Sequence, residues 1–284
     1  MTRVGLGITE ALSLKPLVEG LENASSPFQL HSDLPAKIAL AFAGRTPSLE
    51  LGCAFLTPID YSRHGREYQI VPRLCVASAV PTKTIQLFVK QGGRNISRVA
   101  VDIRVTSEII LANIILLEKY PNLPSGKKKI EFVPMLPDLS AMLDKADAAL
   151  VTNFLGSSSY RSDVFALDLV EEWTDLTDLP YVHGFWVGRE GNLDEKGCEA
   201  LLEAKRKGAA ALGHIAVNEA SKYGISTEAC LSYLSSFIYD LGPTEEKSLS
   251  EFLRYAFFHG VLGDVPDLNF FSLSSPSSPS VSAN

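Results

Sequence analysis

Short apolar runs alternate along this chain with segments of helical periodicity, and this alternation most constrains what the chain can fold into. Residues 49–56 form an apolar run that ends at a Thr-Pro pair. Residues 107–120 follow a capping hydroxyl at Thr106 or Ser107 and carry apolar side chains at helical spacing. Runs that are apolar throughout are typical of strands buried on both faces. The sequence therefore predicts an α/β fold with a largely parallel sheet.

Two predicted strands divide the chain into two lobes. One near Leu87 leaves the first lobe and one near Phe185 returns to it, so the first lobe is expected to be discontinuous. The expected boundaries place residues 1–88 and 188–271 in the first lobe and residues 89–187 in the second. Two lobes joined in this way enclose a cleft that closes by hinge motion, and such a cleft is a natural ligand site.

The two ends of the sequence show no pattern of an export signal or a membrane anchor. The apolar run at residues 4–8 is too short for a signal peptide, and no stretch reaches the roughly 18 apolar residues that span a bilayer. Residues 272–284 are rich in Ser and Pro and cannot bury enough apolar surface to become ordered, which predicts a disordered tail. We therefore expect a cytoplasmic protein with no membrane partner.

Charge and cysteine usage narrow the class of partner. The formal net charge is −7 and the basic residues form no stripe, so a nucleic acid is not an expected partner. The four cysteines have apolar neighbours and no C-x-x-C spacing, which favours buried free thiols in a reducing compartment over a disulfide or a zinc site. The oligomeric state stays open.

Polar side chains follow the predicted strands, at the edge where open α/β sheets bind ligands. Most are Ser, Thr or Asn, and they are Thr9, Glu10, Ser13, Thr57, Ser78, Thr106, Ser107, Thr152 and Asn153. Hydroxyls and helix N–H groups suit a carboxylate, although Thr106 or Ser107 alone can simply cap a helix. Because several strand ends offer the same chemistry, we expect a small anionic ligand. Five arginines face either such an anion or solvent, namely Arg63, Arg66, Arg73, Arg104 and Arg161.

The common catalytic signatures are absent from the sequence. It contains no G-x-S-x-G, no H-E-x-x-H, no phosphate-binding loop and no G-x-G-x-x-G. None of the five histidines has a second ligand type at metal spacing, so we expect no metal and no organic cofactor. His183 lies on the predicted return strand beside Trp186, and we interpret it as a packed or hydrogen-bonded histidine, with a catalytic role as the alternative.

Several short motifs occur along the chain in a specific order. They are Lys15-Pro16-Leu17, Leu56-Thr57-Pro58-Ile59-Asp60-Tyr61, Ala77-Ser78, Val99-Ala100-Val101-Asp102, Asp168-Leu169-Val170-Glu171-Glu172-Trp173 and Leu179-Pro180-Tyr181-Val182. In order and spacing they resemble the chorismate dehydratase family of the futalosine route to menaquinone, within a wider group that includes 1,4-dihydroxy-6-naphthoate synthase. The resemblance covers nearly all of the chain up to about Phe271.

This resemblance implies a fold, a reaction and a set of site residues. The implied fold is the two-lobed α/β fold of periplasmic-binding-protein type II, with an interlobe cleft. The implied reaction is loss of water from chorismate, a dicarboxylate, to give 3-[(1-carboxyvinyl)oxy]benzoate without a cofactor. Ser13 and Thr84 are then the expected catalytic residues near the reacting ring. The expected substrate-binding residues are Thr57, Ser78, Thr106, Ser107 and Asn153, with Thr106 and Ser107 on a carboxylate.

One motif departs from the dehydratase pattern. Where the dehydratases carry Ser-Tyr-Leu-Asn, this chain has Glu10-Ala11-Leu12-Ser13. Ser13 keeps a hydroxyl but lacks the paired donor and acceptor of an amide. Two hypotheses therefore stand. The first is a carbon–oxygen lyase acting on chorismate or a close relative, and the second is a non-catalytic or diverged cytoplasmic binding protein for a small aromatic or carboxylic acid. A LysR-type effector domain shares the fold class, but no helix-turn-helix precedes this chain.

Overall fold

The computed structural model describes residues 3–47, 49–64, 67–91, 95–122, 129–153 and 163–273, whose strands form two five-stranded sheets. The strands of the first sheet are β1 (Val4–Ile8), β2 (Phe28–Ser32), β3 (Cys53–Leu56), β4 (Gln69–Ser78) and β10 (Tyr181–Gly188). The strands of the second sheet are β5 (Ile85–Lys90), β6 (Arg98–Asp102), β7 (Glu131–Met135), β8 (Ala148–Thr152) and β9 (Val164–Asp168).

Helices connect and cover these strands. The α-helices are α1 (Pro35–Phe42), α2 (Pro58–Ser62), α3 (Ser107–Glu118), α4 (Leu139–Lys145), α5 (Leu169–Thr177), α6 (Glu195–Ala210), α7 (Leu212–Glu219), α8 (Thr227–Ser235) and α9 (Pro243–Phe258). Two 3-10 helices cover Leu12–Leu17 and Ala220–Tyr223. The helix predicted from Thr106 or Ser107 is confirmed as α3.

The two sheets have the same arrangement. The first has the order β2-β1-β3-β10-β4 and the second has the order β7-β6-β8-β5-β9. In each sheet the first three strands of that order are parallel, and the fourth runs antiparallel to both of its neighbours. The α/β class with two lobes is therefore confirmed, since each sheet is the centre of one lobe, but both sheets are mixed and not largely parallel as predicted. Among the described helices, none has both the length and the apolarity that crossing a membrane requires.

The chain passes between the lobes outside the predicted strands. The sequence boundaries assign Leu87 to the first lobe and Phe185 to the second. In the structure β5, which contains Leu87, pairs with β8 and β9 in the second sheet. Strand β10, which contains Phe185, pairs with β3 and β4 in the first sheet. The crossings therefore lie at residues 79–84 and 169–180, and the boundaries at 88 and 188 need correction because each strand belongs to the sheet with which it pairs.

Apolar packing surrounds each sheet, and one late helix joins the two cores. Phe252 and Leu253 of α9 pack with Leu87 and Trp173 of the second lobe in a single buried cluster. The indole Nε1 of Trp173 also donates to Ser248 Oγ of α9 at 3.2 Å. Helix α9 follows the last first-lobe strand in sequence, so it ties the end of the chain to the second lobe.

Three local details differ from the sequence-based expectation. Strand β2 was not predicted because it is an edge strand with mixed polar and apolar side chains. Strand β4 continues through Pro72, which an edge strand tolerates, with Arg73 at φ 62° where the pairing with β10 is irregular. Leu273 is partly buried against the first-lobe core, so the predicted tail at 272–284 does not begin at 272. Its residues 274–284 lie outside the described part of the chain.

Candidate functional site

A cleft between the two sheets collects polar side chains from both lobes. Including its open mouth, it has a volume of about 650 Å³. The first wall, from first-lobe segments, consists of Thr9, Glu10, Ala11, Ser13, Leu14, Pro35, Phe55, Thr57, Val76 and His183. The second wall, from second-sheet strands and their ends, consists of Thr84, Arg104, Glu108, Thr152 and Asn153.

Ser13 and Thr84 approach each other through a third hydroxyl, that of Tyr233. Thr84 Oγ1 lies 3.2 Å from the Tyr233 phenol oxygen, and Ser13 hydrogen-bonds to the same phenol. Burial raises the pKa of Tyr233 to about 12, so its hydroxyl keeps its proton at neutral pH. The two residues predicted to be catalytic therefore share one hydrogen-bond network on opposite walls of the cleft.

Close helix packing positions Ser13. It lies in the 3-10 helix that follows β1, and this short helix packs on α6. A Cβ at Gly208 of α6 would collide with the carbonyl of Pro16, so only glycine permits this approach without a backbone shift. The site therefore depends on a glycine almost 200 residues away, and spacing in the sequence gives no sign of it.

Thr57, Thr106 and Ser107 connect the two walls. Thr57 Oγ1 donates to Asp60 Oδ2 at 2.8 Å and lies 3.0 Å from Thr106 Oγ1. Ser107 Oγ accepts from the backbone N–H of Ile59 at 2.9 Å. The start of α2 and the start of α3 are thus joined by side-chain hydroxyls. Of these three residues only Thr57 lines the cleft, and the other two lie behind it.

Ser78 supports His183 from behind. Its Oγ lies 2.8 Å from His183 Nε2, and Ser78 is fully buried on β4 without lining the cleft. Burial lowers the pKa of His183 to about 3, so the imidazole is neutral at physiological pH. His183 lines the first wall and presents an uncharged ring to a ligand, as a hydrogen-bonded histidine can without being a strong base.

Asn153 stands at the end of β8 in an unusual backbone conformation. Its φ is 54°, in the left-handed region that asparagine tolerates better than most residues. The conformation lets the Asn153 N–H donate to the Thr84 carbonyl at 2.7 Å, which closes the second wall. Its side-chain Oδ1 is buried and has no hydrogen-bond partner within the described residues. An acceptor left free in a cleft can receive a hydrogen bond from a ligand.

Arg104 supplies the cation of the second wall. Its Nε and Nη2 bind the carboxylate of Asp102, which is fully buried at the end of β6. Nη2 also donates to the Thr152 carbonyl at 2.9 Å. The third guanidinium nitrogen, Nη1, has no such bond within the part of the chain that the structure describes. Arginine was among the sequence candidates for an anion contact, and the structure brings Arg104 to the cleft.

Glu108 is a cleft residue that the sequence analysis did not predict. It lies in the first turn of α3, and its Oε2 accepts from the backbone N–H of Thr106 at 2.8 Å. Burial raises its pKa to about 7, and the nearby carboxylates of Asp60 and Asp102 add to this shift. An acidic residue in a first helical turn is common for electrostatic reasons, so Glu108 stands out only weakly in the sequence.

The predicted site residues therefore fall into two groups. Four of the seven line one cavity, and they are Ser13, Thr57, Thr84 and Asn153. Three support it from behind, and they are Ser78, Thr106 and Ser107. Within the described ranges there is no group of three or more His, Cys, Asp or Glu side chains that could hold a metal ion.

The fold and the interlobe cleft define the class of protein. A protein from Archaeoglobus fulgidus of known structure is similar with a TM-score of 0.69 and 15% identity, covering 92% of this chain and 99% of that one. The periplasmic aliphatic sulphonate binding protein of Escherichia coli has a TM-score of 0.62 at 12% identity, covering 100% of this chain and 96% of that one. At these identities the comparison shows the fold alone, which is that of the periplasmic binding proteins.

Sequence comparison gives the family within this class. The family model described as menaquinone biosynthesis matches residues 4–257, so the chain belongs to the menaquinone biosynthesis family. A curated relative is the chorismate dehydratase of Thermus thermophilus, which is 25% identical over 213 residues. That alignment covers 72% of this chain and 79% of the relative. The family resemblance inferred from the motifs is confirmed.

Proposed function

We propose that the cleft binds chorismate and removes water from it, giving 3-[(1-carboxyvinyl)oxy]benzoate. One observation supports this most strongly: in a member of the menaquinone biosynthesis family, Ser13, Thr57, Thr84 and Asn153 share a single interlobe cavity. The dehydratase activity is that of the Thermus thermophilus relative, and its transfer to this chain is the proposal.

Charge and hydrogen-bonding capacity of the second wall fit part of this substrate. Arg104 brings a guanidinium with one nitrogen not engaged by Asp102 or Thr152, which can donate to a carboxylate. Asn153 Oδ1 is a buried acceptor without a described partner, and a ring hydroxyl is a matching donor. Together these two groups would hold the ring by its carboxylate and its hydroxyl.

The chemical step needs no oxidant and no reductant. A ring C–H bond and the neighbouring C–OH bond break, the proton and the hydroxide leave together as water, and the remaining electron pair completes the aromatic ring. In this proposal the hydroxyls of Ser13 and Thr84, which are joined through Tyr233, bond the departing hydroxyl. Catalysis of this kind rests on holding the substrate in the reactive geometry.

The alternative is a binding protein that holds the same acid without turnover. The specific observation in its favour is that Tyr233 already engages both the Thr84 and the Ser13 hydroxyls, which leaves them fewer bonds for a reacting group. A cytoplasmic location and a small anionic ligand belong to both candidates. The location is supported by the four cysteines, all of which are buried free thiols.

The deciding experiment is to incubate the purified protein with chorismate and to quantify the dehydrated benzoate by liquid chromatography and mass spectrometry. We expect product above the no-enzyme control, and we expect Thr84→Val to lower kcat by about tenfold or more because one positioning hydroxyl is lost. The matched control is Ser250→Ala on the exposed face of α9, which should leave the rate unchanged. A chorismate-dependent rise in melting temperature without product would instead establish the binding protein.

A further inference from the structure

Glu108 places a carboxylate inside the cleft at the point where an anionic ligand would use the start of α3. Its Oε2 accepts the backbone N–H of Thr106, a donor otherwise free for a ligand. The hydroxyls of Thr106 and Ser107 are also engaged, by Thr57 and by the N–H of Ile59. The carboxylate of Glu108 therefore occupies the position at which an anionic ligand would bind the start of α3.

The charges around Glu108 make a second anion costly. Asp60 faces it from α2 and Asp102 from the end of β6, and both disfavour its ionised form. Arg104, the cation of the second wall, is already paired with Asp102. Glu10 adds an exposed carboxylate on the first wall. A ligand carboxylate thus meets more negative than positive charge while Glu108 is ionised.

We propose that Glu108 is a specificity-determining residue that must carry a proton when the cleft holds a carboxylate ligand, so that ligand binding and proton uptake are coupled. A protonated Glu108 removes one negative charge, and its O–H can donate to the ligand. The inference rests on the proposed function for the ligand class, an aromatic dicarboxylate. It goes beyond that function because it assigns a proton to the binding step and a residue to hold it.

The direction of the pH effect on ligand affinity follows from the negative charge that Glu108 carries when it is ionised. The pKa of Glu108 in the free protein is about 7, and a bound anion raises it further. Below pH 7 the proton is already present and affinity is highest. Above pH 7 each bound ligand must bring a proton from solution, so the affinity falls by as much as about tenfold per pH unit.

The other titratable groups that face Glu108 can be distinguished from it as the site of proton uptake. His183 on β10 has a pKa of about 3 and stays neutral across the relevant range. Tyr181 on the same strand has a pKa raised by burial and then by Glu108, so it stays protonated. Burial also raises the pKa of Asp60, while Thr57 and Arg63 oppose that change. Asp60 is thus the other group that could take up the proton on ligand binding. A Glu108 variant shows which of the two residues does so.

The test is isothermal titration of the intact protein with benzene-1,3-dicarboxylate, a dianion that the elimination cannot consume. Titrations run at pH 6, 7, 8 and 9, each in two buffers of different ionisation enthalpy so that proton uptake is measured directly. The variants are Glu108→Gln and Glu108→Ala. The matched control is Glu171→Gln, a glutamate in the first turn of α5 that is exposed and does not line the cleft.

We expect wild type and Glu171→Gln to take up close to one proton per ligand at pH 8 and to lose about tenfold in affinity from pH 8 to pH 9. Both Glu108 variants should take up no proton and keep a constant affinity over this range. Retention of the pH slope in Glu108→Gln would overturn the inference and assign the proton to Asp60. No binding by wild type at pH 6 would overturn it as well. Proton-coupled binding without chorismate turnover would support the inference while rejecting the lyase.

Discussion

The two walls of the cleft handle charge in different ways. The first wall offers the hydroxyls of Ser13 and Thr57, apolar side chains, the neutral imidazole of His183 and the exposed carboxylate of Glu10. The second wall carries Arg104 and Glu108 over the buried carboxylate of Asp102. The sheets behind the walls have the same strand arrangement, so the difference comes from the residues that follow the strands and not from the topology.

This contrast shows that two lobes with the same strand arrangement can contribute to anion binding in different ways. Neutral lining groups need only satisfied hydrogen bonds, whereas each buried charge must be balanced by a partner. The second wall does so with the pair formed by Asp102 and Arg104, and it leaves Glu108 to adjust by protonation. We therefore expect substitutions in the second wall to have larger and more pH-dependent effects than those in the first.

The largest effect is expected for Arg104→Met. It leaves the carboxylate of Asp102 fully buried without its cation, which should lower the free energy of unfolding by about 3–5 kcal/mol. Ser13→Ala, in the first wall, should lower it by about 1 kcal/mol, since one hydrogen bond to Tyr233 is lost. Urea unfolding followed by circular dichroism measures both.

A second substitution tests the cause of that loss. Asp102→Asn in the Arg104→Met background removes the orphaned charge, so the double variant should be more stable than Arg104→Met alone. If the double variant is no more stable, or if Ser13→Ala costs as much as Arg104→Met, the two walls do not differ in the way described.

Much of the fold could be predicted because the patterns that specify its helices and strands are local in the sequence. The apolar runs of β5 and β8 and the helical spacing of α3 are patterns within single segments. The lobe crossings were misplaced by a few residues because Leu87 and Phe185 look the same in a strand of either sheet. Only pairing with distant strands decides which sheet each joins.

The site was harder to predict than the fold. Thr57 and Asn153 could be found because each follows a recognisable strand, whereas Thr84 was expected only from the family resemblance. Tyr233 could not be found, because it comes from α8, about 150 residues after Thr84, and resembles any buried tyrosine. Glu108 was hidden by a common local role, an acid in a first helical turn, whereas its raised pKa depends on burial and on Asp60 and Asp102.

Opposite pH dependences of stability give a sharper comparison of the walls. His183 has a folded-state pKa of about 3 against an ordinary 6.5, so as pH falls from 7 to 5 only the unfolded chain gains this proton. Its contribution therefore destabilises the fold on acidification, by at most about 1.4 kcal/mol per pH unit. Glu108, at about 7 against an ordinary 4.5, binds its proton first in the folded state and stabilises the fold over the same range.

Unfolding free energies at pH 5, 6 and 7 check these two signs. Between pH 7 and pH 5, His183→Gln should lose less stability than wild type, and Glu108→Gln should lose more. Glu171→Gln serves as the control and should follow the wild-type curve. Two variants that shift the curve in the same direction would contradict the contrast between His183 in the first wall and Glu108 in the second.

The smallest expected effect concerns the contact that joins the walls. Thr57→Val removes the hydrogen bonds to Asp60 and Thr106 and the cap of α2, which should cost about 1 kcal/mol of unfolding free energy. Thr106→Val leaves the hydrogen bond between Thr57 and Asp60 and the cap of α2 in place and should cost less. In a double-mutant cycle the two substitutions should then be coupled, because they share the 3.0 Å contact between the two hydroxyl oxygens. Strictly additive losses would mean that Thr57 acts within the first wall alone, through Asp60, and that the walls are joined at this point by Ser107 and the N–H of Ile59.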